Sequence, residues 1–411
     1  MKCRIVRGAA RVGGSCVELE HGGRRLLIDL GDPLRGEEPL PDVRGLREPA
    51  DDLLGVVASH SHADHWGKLR QARAEVPVFA SEATAALWEV ARVYARAEPP
   101  PQTDVRRFRP GEPFEAGPFR LTPLPVDHSA ADAHALLIEA GGRTLLYTGD
   151  FRDEGTRPNA NAALFAAAAD ADVLLCEGTT VGRTGHSESA ASEAEVAERL
   201  AAVCRETEGL VMLWASGQNL SRLSSAATAA AEAGRRLVID VYAAEAARAC
   251  DRPDLKPDAD RIGVYLPAGQ KARVVSLGEQ TVHDRVKSYR RPVRIFPEEL
   301  KAAAPRTVLL TRPSMLAELA ELDCLAGGAW VTSIWSGYLA QYPDLEQRLQ
   351  DAGVSMHVIH SSGHASEAAL RRLIESSGSA VVVPIHTDRP DLVAGLSDRV
   401  VRKPDGEWWE V

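Results

Sequence analysis

The chain has 411 residues, a formal net charge of −10, 45% hydrophobic and 26% charged residues, the make-up of an ordinary soluble globular protein with a sizeable core in one large or two intimate domains. No stretch approaches the ~20 apolar residues of a membrane span, the N-terminus MKCRIVRGAARVGG carries no secretory apolar run, and the six cysteines form no CxxC pair. These exclude a membrane protein, a disulfide scaffold and a cysteine zinc site, and point to a reducing cytoplasm.

Up to about residue 178 the sequence reads as short strands and turns. Segments 16–20 and 25–30 flank HGG, a hairpin signal. Compact apolar or β-branched runs follow at 56–59, 76–80, 135–139, 144–147 and 173–176. From about 188 the texture changes: a helical pattern over 188–204, a strand at 210–214, a helix over 219–233 and a strand at 237–241. That alternation predicts a parallel sheet flanked by helices, continuing to about 345. Segments 354–359 and 380–385, with a helix from Ser366 between them, are expected to form a final βαβ unit. Two basic clusters, Arg106, Arg107 and Arg109, then Arg285, Lys287, Arg290, Arg291 and Arg294, fit either a solvated face or a polyanion surface.

The strongest signal is HSHADH at residues 60–65, directly after a strand. Imidazole and carboxylate are the ligands expected for zinc or a similar first-row metal. His60 and His62 can face one side of an extended loop, and Asp64 and His65 the other. Four such groups in six residues do not suit one closed tetrahedral site; they read as halves of two adjacent sites. Further ligands are expected just past strand ends: His128 after LTPLPVD, Asp150 after RTLLYTG and His386 after AVVVPI. A carboxylate such as Asp150 has two oxygens and can bridge two metals.

These motifs resemble the metallo-β-lactamase superfamily, whose HxHxDH signature HSHADH matches in full. By that resemblance Asp29, in LLIDLG, supports the metal loop from behind, and Asp150, in YTGDFR, is the bridging residue. The chain is further similar to the β-CASP nucleases, the branch of ribonuclease J and the cleavage and polyadenylation endonuclease. Glu177 in VLLCEGTT, His364 in HSSGHAS and His386 in VVVPIH match the three added motifs. The resemblance implies an αββα sandwich of residues 1–185 and 346–411, with an inserted α/β domain at 186–345. Arg222 in SGQNLSRL is expected to contact phosphate, and Ser362 and Gly363 to touch substrate. Where ribonuclease J has a glycine-rich phosphate loop, this chain has SIWSGYLAQ, and it stops soon after His386 without that type's extra C-terminal domain.

The implied activity is a metal-dependent ribonuclease holding two zinc ions, with manganese as the alternative. His60, His62 and His128 take one ion, Asp64, His65 and His386 the other, and Asp150 bridges them. A bridging hydroxide attacks phosphorus, and His364, held protonated by Glu177, serves the leaving oxygen. RNA is the expected partner, with single-stranded DNA and a second copy of the chain as further candidates. Two other readings stay open: a small-molecule hydrolase of the same fold, which the acidic net charge favours, and a non-catalytic nucleic-acid-binding subunit, which an intact ligand set disfavours. His186 and His360 are expected on a surface loop and a packed strand end, and Trp214, Trp330 and Trp335 in the core rather than stacked on bases.

Overall fold

The computed structural model describes residues 1–157, 159–183 and 192–411. Three sheets organise them. The first has the strand order Trp409–Glu410, Lys2–Arg7, Cys16–His21, Arg24–Ile28, Leu53–Val57, Val78–Ser81 and Val105–Phe108. The second runs Val381–Ile385, Val173–Glu177, Arg143–Tyr147, Ala133–Ala140, Phe119–Val126 and Phe114–Ala116. The third is wholly parallel, in the order Ile262–Tyr265, Arg236–Asp240, Thr307–Thr311, Val211–Trp214, Ala329–Thr332 and Ser355–Val358.

Side-chain alternation explains the layering. In Arg143–Tyr147, Leu145 and Tyr147 face the first sheet, meeting Ile5, Leu19, Leu26 and Ile28 in one core cluster. Leu146 faces away, onto Leu164, Ala168, Leu370 and Leu373 of the helices Ala162–Asp170 and Glu367–Ser376. On the far side of the first sheet, Leu27, Val56 and Val78 pack under Trp66 and Trp88. The result is the expected αββα sandwich. The third sheet is covered on one face by the helices Glu193–Glu206, Leu220–Glu232 and Val241–Ala249 and on the other by Leu316–Glu321 and Leu345–Asp351.

The expected hairpin forms, turning on Gly22 and Gly23, which both take positive φ (58° and 75°), as a tight primed turn needs. The helix expected over 188–204 is seen as Glu193–Glu206, started by Ser192, whose side chain accepts from the Glu195 amide; residues 188–191 and His186 lie outside the described residues. The expected final βαβ unit does not form. Ser355–Val358 pairs with Ala329–Thr332 in the third sheet, whereas Val381–Ile385 pairs with Val173–Glu177 in the second. The chain therefore returns to the sandwich after Val358, later than the expected 345/346 boundary. A short apolar run does not say which sheet it joins, so the error came from chain proximity.

Buried charge joins the third sheet's helices to the sandwich. Arg152, two residues after Asp150, donates to Asp127 Oδ2 (2.8 Å), Glu193 Oε1 (2.9 Å) and the Ser362 carbonyl (3.1 Å). Arg222 donates to Glu193 (2.8 and 2.9 Å), to Ser333 Oγ (2.6 Å) and to Ser361 Oγ (2.9 Å). Arg222 is fully buried with each guanidinium nitrogen engaged, which corrects its expected role as a phosphate contact: it is an internal strut. Burial opposes ionisation of Glu193, but Arg222 and then Arg152 hold its carboxyl down at about 2. Arg222→Ala strands that carboxylate and is expected to cost roughly 3–5 kcal/mol by denaturant titration. A depressed folded-state carboxyl stabilises above its unfolded value of 4.5 and loses that contribution as pH falls towards 2. Glu193→Gln is expected to flatten stability across that window.

Candidate metal centre

HSHADH leaves strand Leu53–Val57 and is strapped by neighbouring backbone. The Ser15 amide donates to the Asp64 carbonyl (3.1 Å), the Leu30 amide to His65 (2.8 Å) and the Asp32 amide to Ala63 (2.9 Å). Gly31 is required by this closeness, because a Cβ there would lie 1.6 Å from the Asp64 carbonyl oxygen. Behind the loop, Asp29 takes the left-handed conformation (φ 58°) and its carboxylate accepts four hydrogen bonds. They come from the Ser59 amide (2.7 Å), Ser59 Oγ (2.9 Å), His65 Nδ1 (2.7 Å) and Tyr147 Oη (2.8 Å).

The separated side chains converge. Ligand atoms of His60, His62 and His128 lie within 4.8 Å of one another, as do those of Asp64, His65, Asp150 and His386. Asp150 stands between the sets: its Oδ2 is 3.1 Å from His65 Nε2 and 3.8 Å from both His60 Nε2 and His128 Nε2. Its Oδ1 is 3.4 Å from His386 Nδ1. His386 itself has φ 52°, a strained backbone of the kind found at functional sites.

The hydrogen-bond network assigns ring tautomers, and these test whether cations fit. Ser59 Oγ gives its proton to Asp29, so His60 Nδ1 must donate to Ser59 Oγ (3.0 Å). Thr179 Oγ1 gives its proton to the His386 carbonyl (3.1 Å), so His386 Nδ1 donates to Thr179 Oγ1 (2.9 Å). His65 Nδ1 donates to Asp29 and His128 Nδ1 to the Gly363 carbonyl. The Nε2 atoms of His60, His128 and His386 are thus left as inward acceptors, and His65 Nε2 faces the Asp150 carboxylate. Among the described residues, the buried His60 Nε2 and Asp150 Oδ1 have no hydrogen-bond partner. His128 Nε2 faces His62 Nδ1 at 3.2 Å, close to the ~3.3 Å between two nitrogens on one tetrahedral zinc. Buried lone pairs aimed at one another require a cation between them, so the residues fit a divalent metal.

Burial pushes the His60, His62 and His128 imidazoles below their ordinary range, keeping them neutral as ligands must be. Against the same burial penalty, Asp150 and then Asp29 raise His65 well above it. His364 behaves likewise: burial lowers it, but Glu177 and then Asp150 outweigh that and raise it. Its Nδ1 lies 3.1 Å from Glu177 Oε2 and 3.7 Å from Asp150 Oδ2. Glu177 is fixed by the Phe151 amide (3.0 Å) and the Thr179 amide (3.3 Å). Glu177 and His364 also fall within 4.8 Å of Asp150 and His386 ligand atoms, so the pair borders the metal sets directly.

The other expected residues divide. Ser362 Oγ accepts from the His364 amide (3.0 Å), and Gly363 lies so close to Ser129 that a Cβ would approach its Oγ to 2.3 Å. His360, at the strand end, faces Arg222 Nη1 at 3.2 Å, and burial followed by that cation lowers it to about 3. Half of the eight basic-cluster residues form ion pairs among the described residues: Arg106 with Asp104, Arg109 with Glu82, Arg285 with Glu245, and Arg291 with Glu298 and Glu299. Sequence reasoning missed Ser59, Tyr147 and Thr179, which orient the ligands. Each lies within seven residues of a ligand in sequence or in an adjoining strand end, but hydroxyls there carry no spacing signal.

Comparisons with known proteins found a family domain and relatives. A β-lactamase superfamily domain is matched over residues 24–211. Ribonuclease J of Sinorhizobium meliloti is 26% identical over 403 residues, covering 90% of this chain and 65% of that protein. Ribonuclease J of Mycobacterium tuberculosis is 31% identical over 252 residues, covering 58% and 44% respectively. The chain thus spans less than two thirds of the length of these relatives. A crystal structure of a protein of unknown function from Enterococcus faecalis V583 matches with a TM-score of 0.79 over 99% of both chains, at 17% identity, and shows the fold alone. By its matched domain the chain is similar to the β-lactamase superfamily over residues 24–211, and by these relatives to ribonuclease J.

Proposed function

We propose that the chain is a ribonuclease that cleaves RNA phosphodiester bonds with two metal ions, zinc first and manganese as the alternative. The observation that carries this reading is the convergence of seven ligands, with inward lone pairs, beside the Glu177–His364 pair. His60, His62 and His128 would hold one ion, Asp64, His65 and His386 the other, and Asp150 both. Ions held there supply Lewis acidity to a phosphoryl oxygen and lower the pKa of bound water.

The chain's own residues do the rest. Asp29, Ser59, Thr179 and the Gly363 carbonyl hold the ligand tautomers. Glu177 occupies His364 Nδ1 and keeps the ring protonated, so Nε2 can give a proton to the leaving 3′ oxygen. Ser362 and Gly363, half-buried on the same turn, are the proposed contacts to the scissile group. Single-stranded DNA as a second substrate, a homodimer and a cytoplasmic location go with this proposal; no helix among the described residues is long and apolar enough to cross a membrane. So does a division into residues 1–185, 186–345 and 346–411, with the later crossing moved past Val358.

The acidic net charge of −10 favours one alternative, a small-molecule hydrolase, because an acidic protein attracts a polyanion weakly. Incubating zinc- and manganese-loaded protein with end-labelled RNA, DNA and a thioester separates the two. RNA cleavage abolished by Asp150→Ala is expected; thioester turnover without RNA cleavage would transfer the assignment. His364→Ala is expected to keep both ions by elemental analysis yet lower kcat by about 10²–10⁴, and an undiminished kcat would remove its role. Asp29→Asn loses a charged acceptor for His65 and is expected to weaken metal affinity by roughly 10–100-fold in a competition titration.

A further inference from the structure

The segment SIWSGYLAQ follows strand Ala329–Thr332, which lies beside and parallel to Val211–Trp214. The Ser333 amide donates to the Trp214 carbonyl (2.8 Å), so the turns after these two strands are neighbours. The turn after Trp214 carries Gln218, whose Oε1 accepts from Ser61 Oγ at 2.9 Å, between the ligands His60 and His62. The carboxyl end of the third sheet therefore faces the metal loop, and in open parallel sheets that end is where ligands bind.

Trp335 and Tyr338 stand on this end. The Trp335 ring packs over Gly337, where a Cβ would approach it to 2.2 Å. Tyr338 meets Trp335 edge to face, with centroids 5.8 Å apart at 88°. Trp214 and Trp330 are buried as expected, but Tyr338 is 52% exposed. Tyr338 is thus an exposed aromatic ring, backed by Trp335, on the sheet end that faces the metal loop.

We propose that Tyr338, backed by Trp335, is a stacking platform for a nucleobase of the substrate strand next to the scissile phosphate. This rests on the RNA reading above. The net charge of −10 gives no overall attraction for a polyanion, and stacking on an aromatic ring accepts any base.

The test uses the full metal-loaded chain, a short single-stranded RNA, its phosphorothioate analogue for binding, and the same RNA with one abasic nucleotide. Tyr338→Ala is expected to raise KM and the analogue's Kd roughly tenfold with kcat within about twofold. Tyr338→Phe is expected to behave as wild type. The abasic substitution is expected to weaken wild type but add nothing to Tyr338→Ala. Tyr338→Ala that binds and cleaves like wild type overturns the platform. Tyr338-dependent binding without cleavage by wild type supports the platform and overturns the ribonuclease reading. No binding by wild type overturns both.

Discussion

The Asp29 carboxylate accepts hydrogen bonds from the Ser59 amide and hydroxyl, from His65 Nδ1 and from Tyr147 Oη. Ser59 begins the metal loop at the end of the first sheet, and Tyr147 ends a strand of the second. One buried side chain thus sets the distance between the sheets and aims two imidazoles. It does so from a left-handed backbone that aspartate tolerates better than most residues. A buried carboxylate survives only when its lone pairs are filled, so the loop, the tautomers of His60 and His65 and the sandwich spacing form one constraint.

A second polar system performs the corresponding task for the inserted sheet. Glu193 sits between Arg152, which follows the bridging Asp150, and Arg222 of the inserted helix Leu220–Glu232. The same two arginines hold the carbonyls of Ser362 and Ser361. The turn that presents His364 and the Gly363 carbonyl therefore hangs from charges contributed by both parts of the chain. Buried ion pairs of this kind favour one arrangement over others more than they add stability. Here the arrangement selected is the position of His364 over Asp150.

The sandwich and its ligands were legible because their signals are local and strong. HSHADH packs four ligands into six residues, and His128, Asp150 and His386 each end an apolar strand. What failed depends on pairing that a linear pattern does not encode. Segment 354–359 reads as a strand, yet its partner proved to be Ala329–Thr332 rather than Val381–Ile385. Arg222 looks like a phosphate contact because a lone arginine in a polar motif usually meets solvent, but Glu193, distant in sequence, turns it inward. Tyr338 carried no signal of its own, since a tyrosine in an irregular segment has no periodicity.

The position of His386 in the chain has a consequence for biogenesis. A polypeptide leaving the ribosome offers His60 through Asp150 early, while strand Val173–Glu177 waits with one edge bare until Val381–Ile385 arrives to pair with it. Bare strand edges recruit foreign strands, and the long interval is filled by the inserted sheet, which must collapse on its own parallel core in the meantime. His386 follows that late strand, so it joins the His and Asp cluster only once the insert has been passed. A chain cut within the insert would lack both His386 and the strand that covers the edge of Val173–Glu177.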